Sequence, residues 1–269
     1  MASAADDPRH PDDAPTAAGP AGPTELARWI QPGPLRRPVV SLSTAALVLL
    51  GAQVASLLWA GVVLSLRYRT TEMPSPLPMP TQLLATLGLW IGYGVGPLLA
   101  LRAGAAPDEH PASLRAWFGP LRAMDLLVGG VVGVGAQLVV IPLVYWPLVR
   151  LFDLDPGESA RRMADSADGV VPIILFALAV VVVAPVVEEL AFRWTLTRAL
   201  SASWGPVVAS LGSAAVFALV HRDPTVMPGL FVFAAALAVL TLRTDRLAPA
   251  VIAHAAFNAT TVVLVTLAR

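Results

Sequence analysis

Glu188 and Glu189 stand side by side at the end of a long run of valine, alanine and leucine, and Arg193 follows the second of them by four residues. Two of the four histidines lie in comparable settings: His221 closes the run Phe217-Ala-Leu-Val-His221, and His254 opens His254-Ala-Ala-Phe-Asn258 inside another. Carboxylates, a guanidinium and imidazoles are costly in membrane-grade segments, so each needs a partner or a function. A carboxylate and a histidine that share a water molecule can hydrolyse a bond without a covalent intermediate. Glu188 would take the water's proton while His221 holds and polarises the same water. His254 and Asn258 can donate hydrogen bonds to a carbonyl oxygen as it becomes negative. Alternatively, Glu188, His221 and His254 can bind a divalent metal such as zinc, which would activate the water instead. The residues leave both routes open, although the H-E-x-x-H spacing of a zinc-binding helix is absent.

The spacing within each motif assigns faces. Glu189 and Arg193 are i and i+4, so they pair on one side of a helix. Glu188 points about 100° away, leaving one carboxylate to the arginine and the other to a cavity. His254 and Asn258 are again i and i+4 and face the same way, and Phe217 stands one turn before His221, where it can pack on the ring. The three motifs meet only if the helix bearing Glu188 continues to about Leu200. Glu188 then lies roughly 18 Å from one membrane face, His254 roughly 10 Å and His221 roughly 24 Å from the same face.

The elements that must position these residues are membrane helices. The 269 residues are 56% hydrophobic and 13% charged, with a mean hydropathy of +0.70, whereas soluble domains carry about 25% charged residues. Net charge is zero, which gives no case for nucleic acid as a partner. The absence of cysteine excludes disulfides, thiolate metal sites and a cysteine nucleophile, and all the basic residues are arginine. Residues 1–38, rich in Pro, Ala and Asp, read as a disordered tail without the apolar stretch of a cleaved signal peptide.

Residues 39–168 read as N-terminal transmembrane helices with interfacial segments, and residues 169–269 as a second helix bundle that carries the motifs. Apolar runs of about 20 residues suffice for a span. They fall over residues 39–66, 81–101, 125–149, 172–200, 206–220, 228–242 and 247–268, which predicts an all-α polytopic bundle of about seven transmembrane helices. Gly88, Gly92 and Gly96, and again Gly129 and Gly133, recur every four residues and predict close helix contacts. Gln53 and Gln137 are polar exceptions within two spans. Trp117 and Phe118 are expected in the interface, with His110 in a solvated loop. Arginines near helix ends favour a cytoplasmic N-terminus by a small margin. The Ala, Arg, Pro and Val bias suggests a bacterial plasma-membrane protein.

Glu188-Glu-x-x-x-Arg193, Phe217-x-x-x-His221 and His254-x-x-x-Asn258 resemble, without departure, the three motifs of the CPBP family, the CAAX proteases and bacteriocin-processing enzymes also called the Abi family. The resemblance covers residues 169–268. It implies an intramembrane endopeptidase acting on a peptide or membrane-protein substrate in maturation, immunity or regulated proteolysis. It further implies that Glu188 and His221 activate water, His254 and Asn258 stabilise the oxyanion, and Glu189 and Arg193 support the site. Family members have been described both as metalloproteases and as metal-free glutamate proteases. Two other functions fit intramembrane polar residues: a non-catalytic scaffold or immunity protein of the same fold, and a proton-coupled transporter with a Glu188–His221 relay. The transporter reading lacks the internal repeats such proteins usually show.

Overall fold

The computed structural model describes residues 39–103, 117–152, 154–167 and 169–267. The expected tail and His110 lie outside these residues. Everything regular among them is helical. Six stretches are long and apolar enough to cross a membrane. They comprise α1 (Leu42–Arg67), α2 (Met79–Ala103), α3 (Ala123–Phe152), a 51-residue stretch Val170–Val220, and then Met227–Thr244 and Ala248–Leu267. A straight helix of that fourth length would run about 77 Å at 1.5 Å per residue, more than twice a hydrocarbon core of about 30 Å. It turns back at Gly205, whose φ of 82° lies outside the helical range and in a region glycine enters without steric penalty. Pro206 follows and suits the first turn of a new helix. The stretch is therefore two spans, α5 (residues 170–204) and α6 (residues 206–220), and with α7 (Met227–Thr244) and α8 (Ala248–Leu267) the described residues make seven passes. Between α3 and α5 lies the short helix α4 (Glu158–Asp165).

The second half of α5 is the axis of the bundle. Every residue from Glu189 to Thr197 is buried, the mark of a helix enclosed on all sides. Its partners α1, α2, α6 and α7 cover it with Leu49, Tyr93, Phe217 and Ala234. By contrast, α1 and α3 turn Leu57, Leu58, Leu143 and Trp146 outward, as helices in lipid do. Three segments wind as π-helix: 136–140 in α3, and 179–183 and 189–197 in α5. Such turns are rare and are frequently found at functional sites.

The glycine spacing has the expected effect. A Cβ built on Gly92 would lie 2.6 Å from the Cβ of Ala52, and one on Gly88 2.7 Å from that of Trp59, so α1 and α2 meet backbone to backbone. Gly129 does the same for α3 against α8, where a Cβ would stand 2.9 Å from the carbonyl of Pro249.

Two expectations are corrected. Trp117 is only 3% exposed and packs on Trp194, with its carbonyl accepting a hydrogen bond from Leu247 N, so it serves the core instead of a headgroup layer. Arg198 and Arg246, near helix ends, are buried and face Asp245 and Asp125, while Arg193 faces Glu189 as its spacing predicts. Buried charges must be paired, so these arginines answer to protein carboxylates. Arg246 grips Asp125 through two bonds of 2.8 and 2.5 Å, fixing the turn between α7 and α8 to the start of α3.

The packing makes a signed prediction. Gly61 in α1 has open space around its Cβ position, so Gly61→Ala should be neutral or raise the melting temperature in detergent, because alanine favours helix by up to about 1 kcal/mol. Gly92→Ala should lower it, since overpacking costs about 1–3 kcal/mol. Equal shifts of the same sign would contradict the observed α1–α2 contact.

Candidate active site

Because α5 runs unbroken past Glu188, both carboxylates lie inside the bundle. Glu188 keeps 14% of its side chain exposed and lines a cavity of about 860 Å³. Glu189, on the next face of the helix, is fully buried. Its Oε2 lies 3.1 Å from Arg193 Nε, an ion contact without hydrogen-bond alignment. Arg193 is held from two further sides: Nη2 donates to the Ala234 carbonyl at 3.4 Å, and the guanidinium lies 4.5 Å from the Phe217 ring centre. Cation–π contact is strongest where water is excluded.

The other oxygen of Glu189 reaches across to α8. His254 Nδ1 is 2.8 Å from Glu189 Oε1, and its Nε2 is 3.8 Å from Glu188 Oε2, so the imidazole stands between the two carboxylates. The rings of Phe217 and Phe233 meet it edge-on. A carboxylate accepts, so Nδ1 carries the hydrogen, and in neutral His254 the Nε2 lone pair faces Glu188. His221, at the end of α6, is arranged likewise. Its Nδ1 donates to the Phe217 carbonyl at 2.7 Å, its ring packs 4.7 Å from Phe217, and Nε2 is left with a lone pair. Asn258, one turn beyond His254, donates its amide to the Val180 carbonyl at 2.8 Å. Val180 belongs to the π-helical segment 179–183, where the wider turn changes which carbonyls the helix itself satisfies.

Glu188, His221, His254 and Asn258 thus line one cavity, and Glu189 with Arg193 stands behind them. The cavity opens on the face where α1 ends, beneath Ser159 and Met163 of α4 and beside Asp223. The Ser159 hydroxyl and the Thr225 hydroxyl bond the Asp223 carboxylate and hold its pKa below the usual value. The sequence motifs do not include Gln53 of α1 or Tyr93 of α2, yet both line the same cavity. A glutamine in the middle of an otherwise apolar span was the available signal for the first; nothing marked the second.

Metal binding needs converging ligands. Both histidines have the tautomer that metal-ligating imidazoles use, with Nδ1–H bonded to a carboxylate or a carbonyl. Among the described residues, however, no three His, Asp or Glu side chains gather closely enough to hold an ion.

Arg193→Ala would leave Glu189 facing His254 without its cation. Breaking one partner of a buried ion pair costs about 3–5 kcal/mol. The variant should show a markedly lower melting temperature and lower folded yield in detergent. Arg193→Lys should recover only part of this, because an ammonium cannot span Glu189, the Ala234 carbonyl and the Phe217 face together. A melting curve unchanged from that of the unmodified protein would show that the contact carries no stability.

No curated protein and no solved structure matches the chain. Its C-terminal helical region, residues 170–260, which runs from the start of α5 through both carboxylates and both histidines to just past Asn258, matches the Rce1-like family model, described as type II CAAX prenyl endopeptidase Rce1-like.

Proposed function

We propose that the protein is an intramembrane endopeptidase that hydrolyses a peptide bond with water activated by Glu188. The observation that carries this reading is the gathering of Glu188, His221, His254 and Asn258 on one cavity within a membrane bundle, with His254 between two carboxylates. Glu188 accepts a proton from water as its oxygen attacks the scissile carbonyl carbon, and the Nε2 lone pair of His221 accepts from the other water hydrogen. Asn258 keeps a second amide hydrogen for the resulting oxyanion, and His254 can donate through Nε2 when that nitrogen carries a hydrogen. Collapse of the tetrahedral intermediate breaks the carbon–nitrogen bond as the Glu188 carboxyl returns its proton to the leaving amine. A divalent metal such as zinc would need Glu188, His221 and His254 to draw closer together than they stand here, and would then acidify the attacking water. The substrate is a peptide or membrane-protein segment able to enter this largely apolar cavity.

The test uses purified protein in lipid vesicles with apolar synthetic peptides, with and without a farnesylated C-terminal CAAX sequence, and cleavage read by mass spectrometry. Glu188→Gln keeps the shape but cannot accept the proton, and kcat should fall by about 10²–10⁴-fold. His221→Ala should be comparably damaging. Asn258→Ala should lose roughly 10²–10³-fold, as one oxyanion donor does. Near-normal cleavage by Glu188→Gln, or an acyl-enzyme trapped on a serine or threonine, overturns the mechanism. No cleavage by the unmodified protein favours a scaffold or immunity role. Activity that survives complete metal chelation assigns the water to Glu188 and His221 without an ion.

A further inference from the structure

In their neutral forms the two histidines present lone pairs to the cavity, and Asn258 has given one amide hydrogen to Val180. An oxyanion formed beside Glu188 needs further donors. A chain of hydrogen bonds from outside the motif-bearing helices supplies one. Arg222 adopts a left-handed backbone conformation (φ 55°), uncommon for a residue with a side chain. Its Nη2 donates to Gln53 Oε1 at 3.2 Å. A guanidinium has only donors, so the glutamine must turn its oxygen to Arg222 and its amino group the other way. That amino group donates to the Tyr93 hydroxyl at 2.6 Å. The phenol oxygen therefore accepts, and its own hydrogen is directed elsewhere. Among the described residues no acceptor takes it.

Tyr93 is 2% exposed and lines the same cavity as Glu188. Its position is fixed from both sides. Phe192, one turn beyond Glu188, meets the tyrosine ring edge-on at 5.2 Å. The neighbouring Gly94 packs on Val187, where a Cβ would stand 3.6 Å from the valine methyl, so the tyrosine and Glu188 share one level of the bundle.

We propose that Tyr93 is a catalytic hydrogen-bond donor to the carbonyl oxygen of the bound peptide, with Gln53 and Arg222 as positioning residues that keep its hydrogen turned toward the cavity. The inference rests on the hydrolytic reading above. It assigns part of the oxyanion site to α1 and α2, outside residues 170–260.

Two variants test it on the peptide mixture already described, with Glu188→Gln as the control. Tyr93→Phe keeps the ring and removes the donor. It should lower kcat by about 10²–10³-fold, the loss typical of one oxyanion donor, with KM little changed. Gln53→Glu reverses the chain: a carboxylate accepts from both Arg222 and Tyr93, so the phenol hydrogen is drawn away from the cavity although the tyrosine remains. Its kcat should fall toward that of Tyr93→Phe, and the double variant should lose no more than Tyr93→Phe alone. Melting temperatures in detergent accompany each assay, so that a folding defect is seen directly. Unchanged kcat in Tyr93→Phe, a loss confined to KM, or full activity in Gln53→Glu overturns the proposal. If those results appear while Glu188→Gln is inactive, the protease reading stands and only the role of Tyr93 falls. If Glu188→Gln cleaves as well as the unmodified protein, the Glu188 mechanism falls first, and if the unmodified protein does not cleave, the protease reading falls.

Discussion

A carboxylate with no exposed surface sits in the middle of a membrane bundle at Glu189. Its burial is permissible only because both oxygens are answered: Oε2 by Arg193 on the same helix and Oε1 by His254 from α8. Each answer constrains the rest. The arginine needs the Ala234 carbonyl of α7 and the ring face of Phe217 of α6, so four helices converge on one acid. The histidine, once its Nδ1 is bound, has its ring plane and its free nitrogen determined, and that nitrogen faces Glu188. The adjacent pair is therefore asymmetric. Glu189 organises the interior, and Glu188 is left as the carboxylate that faces the cavity.

The same demand, that polar backbone and side-chain groups in a membrane find protein partners, explains the irregular winding of α5. Where the π-helical segment loosens the backbone near Val180, Asn258 of α8 binds the carbonyl. Where the second π segment passes Leu190, the Thr195 hydroxyl turns back to its carbonyl. These departures from α-helix are thus satisfied from within the protein. One of them is what holds a motif residue of α8 against α5.

At the other end, Arg246 with Asp125 and Arg198 with Asp245 tie the α7–α8 turn to α3 and α5. These pairs contribute no chemistry to the cavity. Asp245 itself takes a left-handed conformation at the end of α7, which aspartate tolerates better than most residues. The turn fixes where α8 begins and hence the depth of His254. Glycine contacts set the lateral spacing in the same way. Gly92 brings α1 against α2, which is the arrangement that lets Gln53 reach Tyr93.

The sequence by itself determined that this is a helical membrane protein, since long apolar runs with few charges have no other stable form in a bilayer. It determined the pairing of Glu189 with Arg193, because a helix places i and i+4 together whatever surrounds it. It also placed Asn258 beside His254 on α8. The tertiary structure decided what each group does with its hydrogens. His254 is held by Glu189, 65 positions away; Asn258 reaches Val180; Gln53 joins Arg222, 169 positions on, to Tyr93. None of these has a local period, because helix packing and not helix geometry brings the partners together. Sequence also mistook two buried arginines, Arg198 and Arg246, for signals of orientation and Trp117 for an interfacial ring. An arginine that faces lipid headgroups and one that faces a buried carboxylate are the same letter, and only the position of the carboxylate distinguishes them.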